Sequence, residues 1–229
     1  MDRFIEALKE RRKSGFFPVI PDIKCRSPKE GDLLGGRDPL AAAALLKRAG
    51  APVLSVVTES VHFGGSLQLL EDIVRETGLP VLRKDFIKEK EDLYQTKGAG
   101  AAAILLICSM LEGDRLTELY REALRIGLEP LVETHQEKEL LLAEGLGARL
   151  VGINNRNILD LEKDNGTVSS TGLLAAHKPS GSFLISESGI RTEGDVHLAR
   201  SAGADAVLVG TALWQASDMA ATYQAFSRL

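Results

Sequence analysis

The chain has 229 residues, 44% hydrophobic and 26% charged, which is ample for one well-formed core. Its net charge of -4 argues against a general nucleic-acid surface. No apolar run approaches the ~18 residues of a membrane span.

The opening stretch, MDRFIEALKERRK, is charged and has no apolar core of the kind a secretory signal needs. It predicts one short helix before the first strand. Cys25 and Cys108 make no C-x-x-C pair and read as reduced thiols, so a cytoplasmic location is expected. No low-complexity or Pro/Ser-rich linker interrupts the chain, and one domain over residues 1–229 is expected.

Strands are predicted near 17–24, 53–58, 80–84, 102–107, 129–133, 150–154, 182–187 and 206–210. Helices are predicted near 38–49, 67–77, 88–98, 111–126, 135–145, 168–176, 192–201 and 212–227. The basis is a unit that recurs as AGAPVLSVV, AGAAAILLI, LGARLVGIN and AGADAVLVG. Each copy follows an amphipathic run, stops it with a Gly and continues into apolar residues. Gly just past a helix end is the usual left-handed cap, and a continuous aliphatic run reads as a strand covered on both faces. Eight strand–helix units in this length predict a (β/α)8 barrel of the triosephosphate isomerase (TIM) type. An open doubly wound sheet shares the alternation, but no fingerprint loop supports it. The match GAGAAA (98–103) closes a helix and opens a strand, the reverse of a dinucleotide-binding turn.

In such barrels chemistry sits at the C-terminal ends of the strands. These ends read DIKCRSP, VTES, LRKDF, LICS, LVETH, GINNRN, ISESG and LVGT. Nearly all gain a charged or amide residue there. In the first, Asp22 and Lys24 lie two apart and share a face. Buried charge is costly unless paired or used, so both are candidates for function. Lys24, Lys84, Glu133 and Glu187 are expected to converge, with Asn154 and Arg156 between them. Lysines near other cations donate protons near neutrality, and facing carboxylates accept them. Ser188, Gly189, Gly210 and Thr211 follow the last two strands, where barrels commonly bind phosphate through backbone N–H groups. The four histidines show no metal-ligand spacing; His135 reads as a helix cap and Cys108 as a small hydrophobe.

Taken in order, IKCRSP, SVVTESVHFGGS, LPVLRKDFI, EPLVETH, GINNRNI, ISESGI and AVLVGTAL resemble the indole-3-glycerol phosphate synthase family of tryptophan biosynthesis. The resemblance implies ring closure, decarboxylation and dehydration of 1-(2-carboxyphenylamino)-1-deoxyribulose 5-phosphate, without cofactor or metal. Lys84 matches the general acid, Glu133 a catalytic carboxylate, and Lys24 the lysine holding the substrate carboxylate. Asn154 and Glu187 match polar residues that orient sugar hydroxyls and lysines, and Arg156 the partner of the anthranilate carboxylate. Ser27, Ser188, Gly189, Gly210 and Thr211 match phosphate contacts. Pro28, Phe86, Leu105, Ile107 and Ile158 match the apolar slot for the ring. Asp22, Cys25 and Lys29 stand where the family usually has glutamate, arginine and serine. A shortened acid at position 22 suits positioning Lys24, and both Asp22 and Glu133 stand as candidates for the dehydration base. The family often carries extra N-terminal helices that partly cover the pocket; here there is room for one. The expected partner is a phosphorylated small molecule, with no nucleic acid or membrane, and the expected state is a monomer or weak homodimer. Other phosphate-binding barrels, such as phosphoribosylanthranilate isomerase or the tryptophan synthase α subunit, are the alternative, and a non-catalytic barrel the more distant one. The isomerase needs a Cys/Asp pair, and Cys25 falls one position off the face shared by Asp22 and Lys24.

Overall fold

The computed structural model describes residues 3–112, 114–156 and 167–228. Helix α1 (Arg3–Lys13) precedes strand β1 (Val19–Ile23), and a small hairpin follows, β2 (Arg26–Ser27) and β3 (Gly31–Asp32). Alternation then begins with α2 (Pro39–Arg48), β4 (Leu54–Val57), α3 (Leu67–Thr77), β5 (Val81–Lys84) and α4 (Lys90–Gly98). It continues through β6 (Ala103–Ile107), α5 (Arg115–Arg125), β7 (Glu129–Thr134), α6 (Glu137–Gly145) and β8 (Leu150–Asn154). The last elements are α7 (Ser169–Leu174), β9 (Phe183–Glu187), α8 (Glu193–Ser201), β10 (Ala206–Val209), α9 (Thr211–Gln215) and α10 (Met219–Ser227).

The predicted barrel is what forms. Its strands run β1-β10-β9-β8-β7-β6-β5-β4 and close by β1 pairing β4, all in parallel. Every residue of these strands is buried, so their apolar residues do not alternate with exposed polar ones, and the charged residues they carry fall mainly at their ends. The helices start and stop where the local chemistry says. Ser66 caps α3 by accepting the Leu69 N–H at 3.1 Å, and Gly78 ends it at a φ of 64°, a left-handed cap that glycine adopts without strain. Between those signals Leu70 and Ile73 face the core.

Two boundaries differ from the prediction by more than two residues, each for a local reason. The helix expected over 212–227 is two helices. Ala216 turns extended, and Asp218 starts α10 by accepting the Ala221 N–H at 2.9 Å. The helix expected from 111 begins at Arg115, because Cys108–Met110 form a short 3-10 turn and Leu111 is extended. The β2–β3 hairpin was not foreseen.

Helix α1 lies at the N-terminal end of the strands. Its Phe4, Ile5 and Leu8 are buried among Ile20, Val53, Leu82, Leu131, Leu150 and Phe183, so they plug the barrel floor. Each such side chain contributes about 1.5–3 kcal/mol by burial. Glu129, at the start of β7, fixes the plug. Its two carboxylate oxygens accept the N–H groups of Phe4 at 2.6 Å and Ile5 at 3.0 Å. A negative charge at a helix N-terminus satisfies donors that the helix itself leaves unpaired. The one N-terminal helix therefore covers no part of the opposite, C-terminal rim. Among the described residues no helix is long and apolar enough to cross a membrane.

Candidate active site

Two adjoining cavities open at the C-terminal rim, and Asp22, Lys24 and Lys84 line both. The first has about 440 Å³ of space, open solvent included, and is otherwise lined by Arg156, Ser188, Gly189, Ile190, Arg191, Leu208, Gly210 and Thr211. Four of its lining side chains are cationic (Lys24, Lys84, Arg156, Arg191) and one is a carboxylate (Asp22), so the wall favours an anion. Backbone geometry adds to this. Ser188 sits at a φ of 64° and Gly189 at 73°, so two left-handed residues in succession turn the chain sharply after β9. A serine held there is strained, and such strain gathers at functional sites. Successive backbone N–H groups in turns of this kind form concave anion seats.

The second cavity, about 340 Å³ on the same measure, adds Val57, Glu59, Phe63, Asp85, Phe86, Leu105 and Ile107. Its exposed lining is mostly apolar, supplied by Val57, Phe63, Phe86, Leu105 and Ile107. Phe63 reaches it because Glu59 folds the preceding loop, accepting the N–H groups of Val61 at 3.0 Å, His62 at 2.7 Å and Phe63 at 3.0 Å. Burial opposes the charge on Glu59, but these amides hold its carboxyl below the ordinary value. Gly65 then passes so close to the end of β4 that an added Cβ would collide with the Val57 carbonyl. Lys24 Nζ stands 5.7 Å from the Phe63 ring centre, within cation–π range.

The lysines and carboxylates are held from behind. Ser55 donates to Asp22 Oδ1 at 2.6 Å, and the buried Trp214 Nε1 donates to the Asp22 carbonyl at 3.0 Å. Next to Lys84, Arg83 points outward and clamps three elements at once. It donates to Thr58 Oγ1, to Thr96 Oγ1 and the Asp92 carbonyl of α4, and to Asp85 Oδ2, each at 3.0 Å. Asp85 in turn accepts the Phe86 N–H at 2.8 Å. One buried guanidinium thus fixes the strand end that presents Lys84 and the loop that presents Phe86.

Glu133 and Glu187, both fully buried, and Asn154, 2% exposed, stand at the C-terminal ends of β7, β9 and β8 and are in neither cavity lining. Their register is set by the sheet, with Ile107 opposite Glu133, Glu133 opposite Gly152 and Asn154 opposite Glu187. Gly152 makes room for Glu187. An added Cβ would stand 3.1 Å from the Glu187 carboxyl carbon and closer still to Oε1. Asn154 Oδ1 accepts the Arg156 N–H at 3.0 Å and so orders the turn that follows β8. Among the described residues no group of three or more His, Cys, Asp or Glu is arranged to hold a metal ion.

The sequence matches the family described as indole-3-glycerol phosphate synthase over residues 1–226. An indole-3-glycerol phosphate synthase from Pyrococcus furiosus is 46% identical over 215 residues, 94% of this chain and 93% of that protein. The chain belongs to the indole-3-glycerol phosphate synthase family. Another synthase, from Chlorobium phaeovibrioides, is 40% identical over 207 residues, 90% of this chain and 79% of that protein. Among solved structures, a thiamine phosphate pyrophosphorylase from Pyrococcus furiosus overlays with a TM-score of 0.66 at 12% identity, covering 95% of each chain. That last likeness speaks for the barrel alone.

Of the site residues expected from the synthase motifs, Asp22, Lys24, Lys84, Phe86, Leu105, Ile107, Arg156, Ser188, Gly189, Gly210 and Thr211 line the two cavities. Arg156 lines the polar cavity rather than the apolar one. Ser27 and Pro28 are in neither lining; the Ser27 hydroxyl faces the N–H groups of Lys29 and Glu30 inside the hairpin, at 3.4 Å each. Ile158 lies outside the described residues. Cys25 is half-buried and lines neither cavity. His135 is not a cap. The N-cap position of α6 is Gln136, and the His135 ring lies between two carboxylates. Val57, Glu59, Phe63, Asp85, Ile190, Arg191 and Leu208 also line the cavities without having been expected there; Phe63 falls inside SVVTESVHFGGS, and Arg191 directly follows ISESGI.

Proposed function

We propose that the chain converts 1-(2-carboxyphenylamino)-1-deoxyribulose 5-phosphate into indole-3-glycerol phosphate, carbon dioxide and water. The observation that carries this is a pair of cavities, one cationic and one apolar, sharing Asp22, Lys24 and Lys84 at their junction. The substrate has the same layout, with a phosphate at one end, an aryl ring at the other and the reacting carbons between. The phosphate would lie against the Ser188–Gly189 turn and the Gly210–Thr211 backbone, and the ring against Phe86, Leu105 and Ile107.

Chemistry would then proceed at the junction. The ring carbon that bears the carboxylate attacks the ketone carbon, and Lys84 gives its proton to the ketone oxygen as that oxygen becomes a hydroxyl. Loss of carbon dioxide returns the bonding electrons to the ring. The hydroxyl then leaves as water, with a proton supplied by a lysine while Glu133 removes one from the methylene carbon between the nitrogen and the carbon that carried the hydroxyl. Lys24 and Arg156 would hold the substrate carboxylate until it departs. Asn154 and Glu187 would orient hydroxyls and lysines, and Asp22 would set the position of Lys24. General acid–base steps of this kind are worth about 10²–10⁴ in rate each. We further propose that one barrel acts alone as a cytoplasmic monomer or weak homodimer, which light scattering on a sizing column tests.

The direct test is to incubate the folded protein with the carboxyphenylamino deoxyribulose phosphate and follow the indole chromophore. Absence of product from folded protein overturns the reading.

A further inference from the structure

Glu133 is fully buried, and neither of its carboxylate oxygens has a hydrogen-bond donor within reach among the described residues. Burial of a carboxylate is costly unless a positive group answers it. Two residues on, the chain supplies one. His135 Nε2 stands 3.5 Å from Glu133 Oε1. On its other side His135 Nδ1 stands 3.6 Å from Glu139 Oε2. Glu139 itself is tied down. It is buried in the first turn of α6 and accepts the backbone N–H of His135 at 2.6 Å.

The ring is therefore pinched between an acid in the mouth and an acid of the helix that follows. Both gaps are ion-pair distances slightly longer than a hydrogen bond. Burial pushes the imidazole toward its neutral form, but the Glu139 contact and the charges of Glu133 and Glu139 outweigh it, and its pKa is raised. Lys84, on β5, pulls the other way. Cys108, in the turn after β6, also faces these acids, but as a neutral thiol whose pKa is pushed up to about 12 by burial and by Glu139 and Glu133. Lys138 lies beside Glu139 and helps keep it ionised.

We infer that His135, braced by Glu139 of α6, is a positioning residue that orients the Glu133 carboxylate and supplies its counter-charge. The inference rests on the reading of Glu133 as a catalytic carboxylate. Substrate is not touched by His135 on this view; it acts through Glu133. The sign of its effect follows from charge. Removing the imidazolium takes away the positive charge beside the acid in the mouth, so the loss of activity on acidification sets in at a higher pH.

The experiment compares His135→Gln, Glu139→Gln and Glu133→Gln with the parent, using the carboxyphenylamino deoxyribulose phosphate and recording kcat and KM from pH 5 to 9. Far-UV circular dichroism and thermal melts check folding. For His135→Gln the acid limb of kcat/KM is expected to rise by about 1 pH unit, the scale of one opposite charge at this distance. On the acid limb kcat should fall by up to about tenfold with little change in KM, and the gap should close as pH rises above the limb and the parent imidazole loses its proton. Glu139→Gln should move the limb the same way by less, and it carries the test if His135→Gln does not fold. An inactive Glu133→Gln together with unmoved pH profiles in both other variants overturns the role of His135. A Glu133→Gln enzyme as active as the parent overturns instead the reading on which the inference stands.

Discussion

Gly152→Ala tests the barrel mouth with the addition of one methyl group. Gly152 lies on β8 under the Glu187 carboxylate, and its φ is outside the left-handed region, so alanine brings no backbone strain. The new Cβ would stand 3.1 Å from Glu187 Cδ, inside the 3.4 Å at which ordinary contact begins, and nearer still to Oε1. The atoms it meets are the far end of a side chain, so the carboxylate swings away by about 1 Å or more and the strand stays put. A shift of that size in a catalytic group costs about 100-fold, or about 2.7 kcal/mol of activation free energy. Stability should change by less than about 1 kcal/mol, because alanine in a strand loses less backbone entropy on folding than glycine. The assay is kcat/KM from the indole signal beside a thermal melt. Shortening the acid in the same background, Gly152→Ala with Glu187→Asp, should recover part of the loss. A Gly152→Ala enzyme within twofold of the parent refutes the argument that Glu187 must occupy that space.

Other substitutions probe separate links. Lys84→Ala is expected to lower kcat by at least ~10², the scale of a lost general acid, and an unchanged rate would make Lys84 structural. Asp205 is partly buried, which opposes its charge, yet the Leu184 N–H, Lys178 and Arg12 hold its carboxyl below the ordinary value. A depressed folded value means its contribution is complete above about pH 4 and fades as pH falls through the folded pKa. The melting-temperature gap between the parent and Asp205→Asn should therefore be widest at neutral pH and close in acid; a gap independent of pH would be the wrong outcome. Cys108, with its thiol pushed up to about 12, should resist iodoacetamide at pH 8 until the protein is unfolded. Labelling of Cys108 in the native state at the rate of a free thiol would contradict that burial.

The barrel was legible because its signals are local. A Gly stop, a small residue and an aliphatic run identify a helix end and a buried parallel strand without knowledge of any neighbour, as in AGADAVLVG. The cavity-lining lysines were legible for the same reason, since Lys24 and Lys84 stand at strand ends. What escaped depends on register between strands. That Ser55 serves Asp22 follows only from β1 pairing β4 with those two residues opposite each other. That Gly152 leaves room for Glu187 needs the β8–β9 offset. His135 looked like a cap because capping is read within one helix, whereas the ring answers an acid on the strand before and one on the helix after. Arg83 hid behind Lys84, because a strand-end reading follows the inward face and the clamp works on the outward one. The hairpin was too short to have a pattern at all.

Strand β7 carries a buried carboxylate at each end, Glu129 against helix α1 and Glu133 in the mouth. Four residue steps along the strand separate them, about 13 Å. That exceeds the roughly 7–10 Å over which substitutions usually interact. Floor and mouth are thus independently adjustable. Changes that tighten the α1 plug can offset the instability of a redesigned mouth without altering what the mouth recognises. For an engineer or for natural selection, the barrel floor is a place to store tolerance for new chemistry.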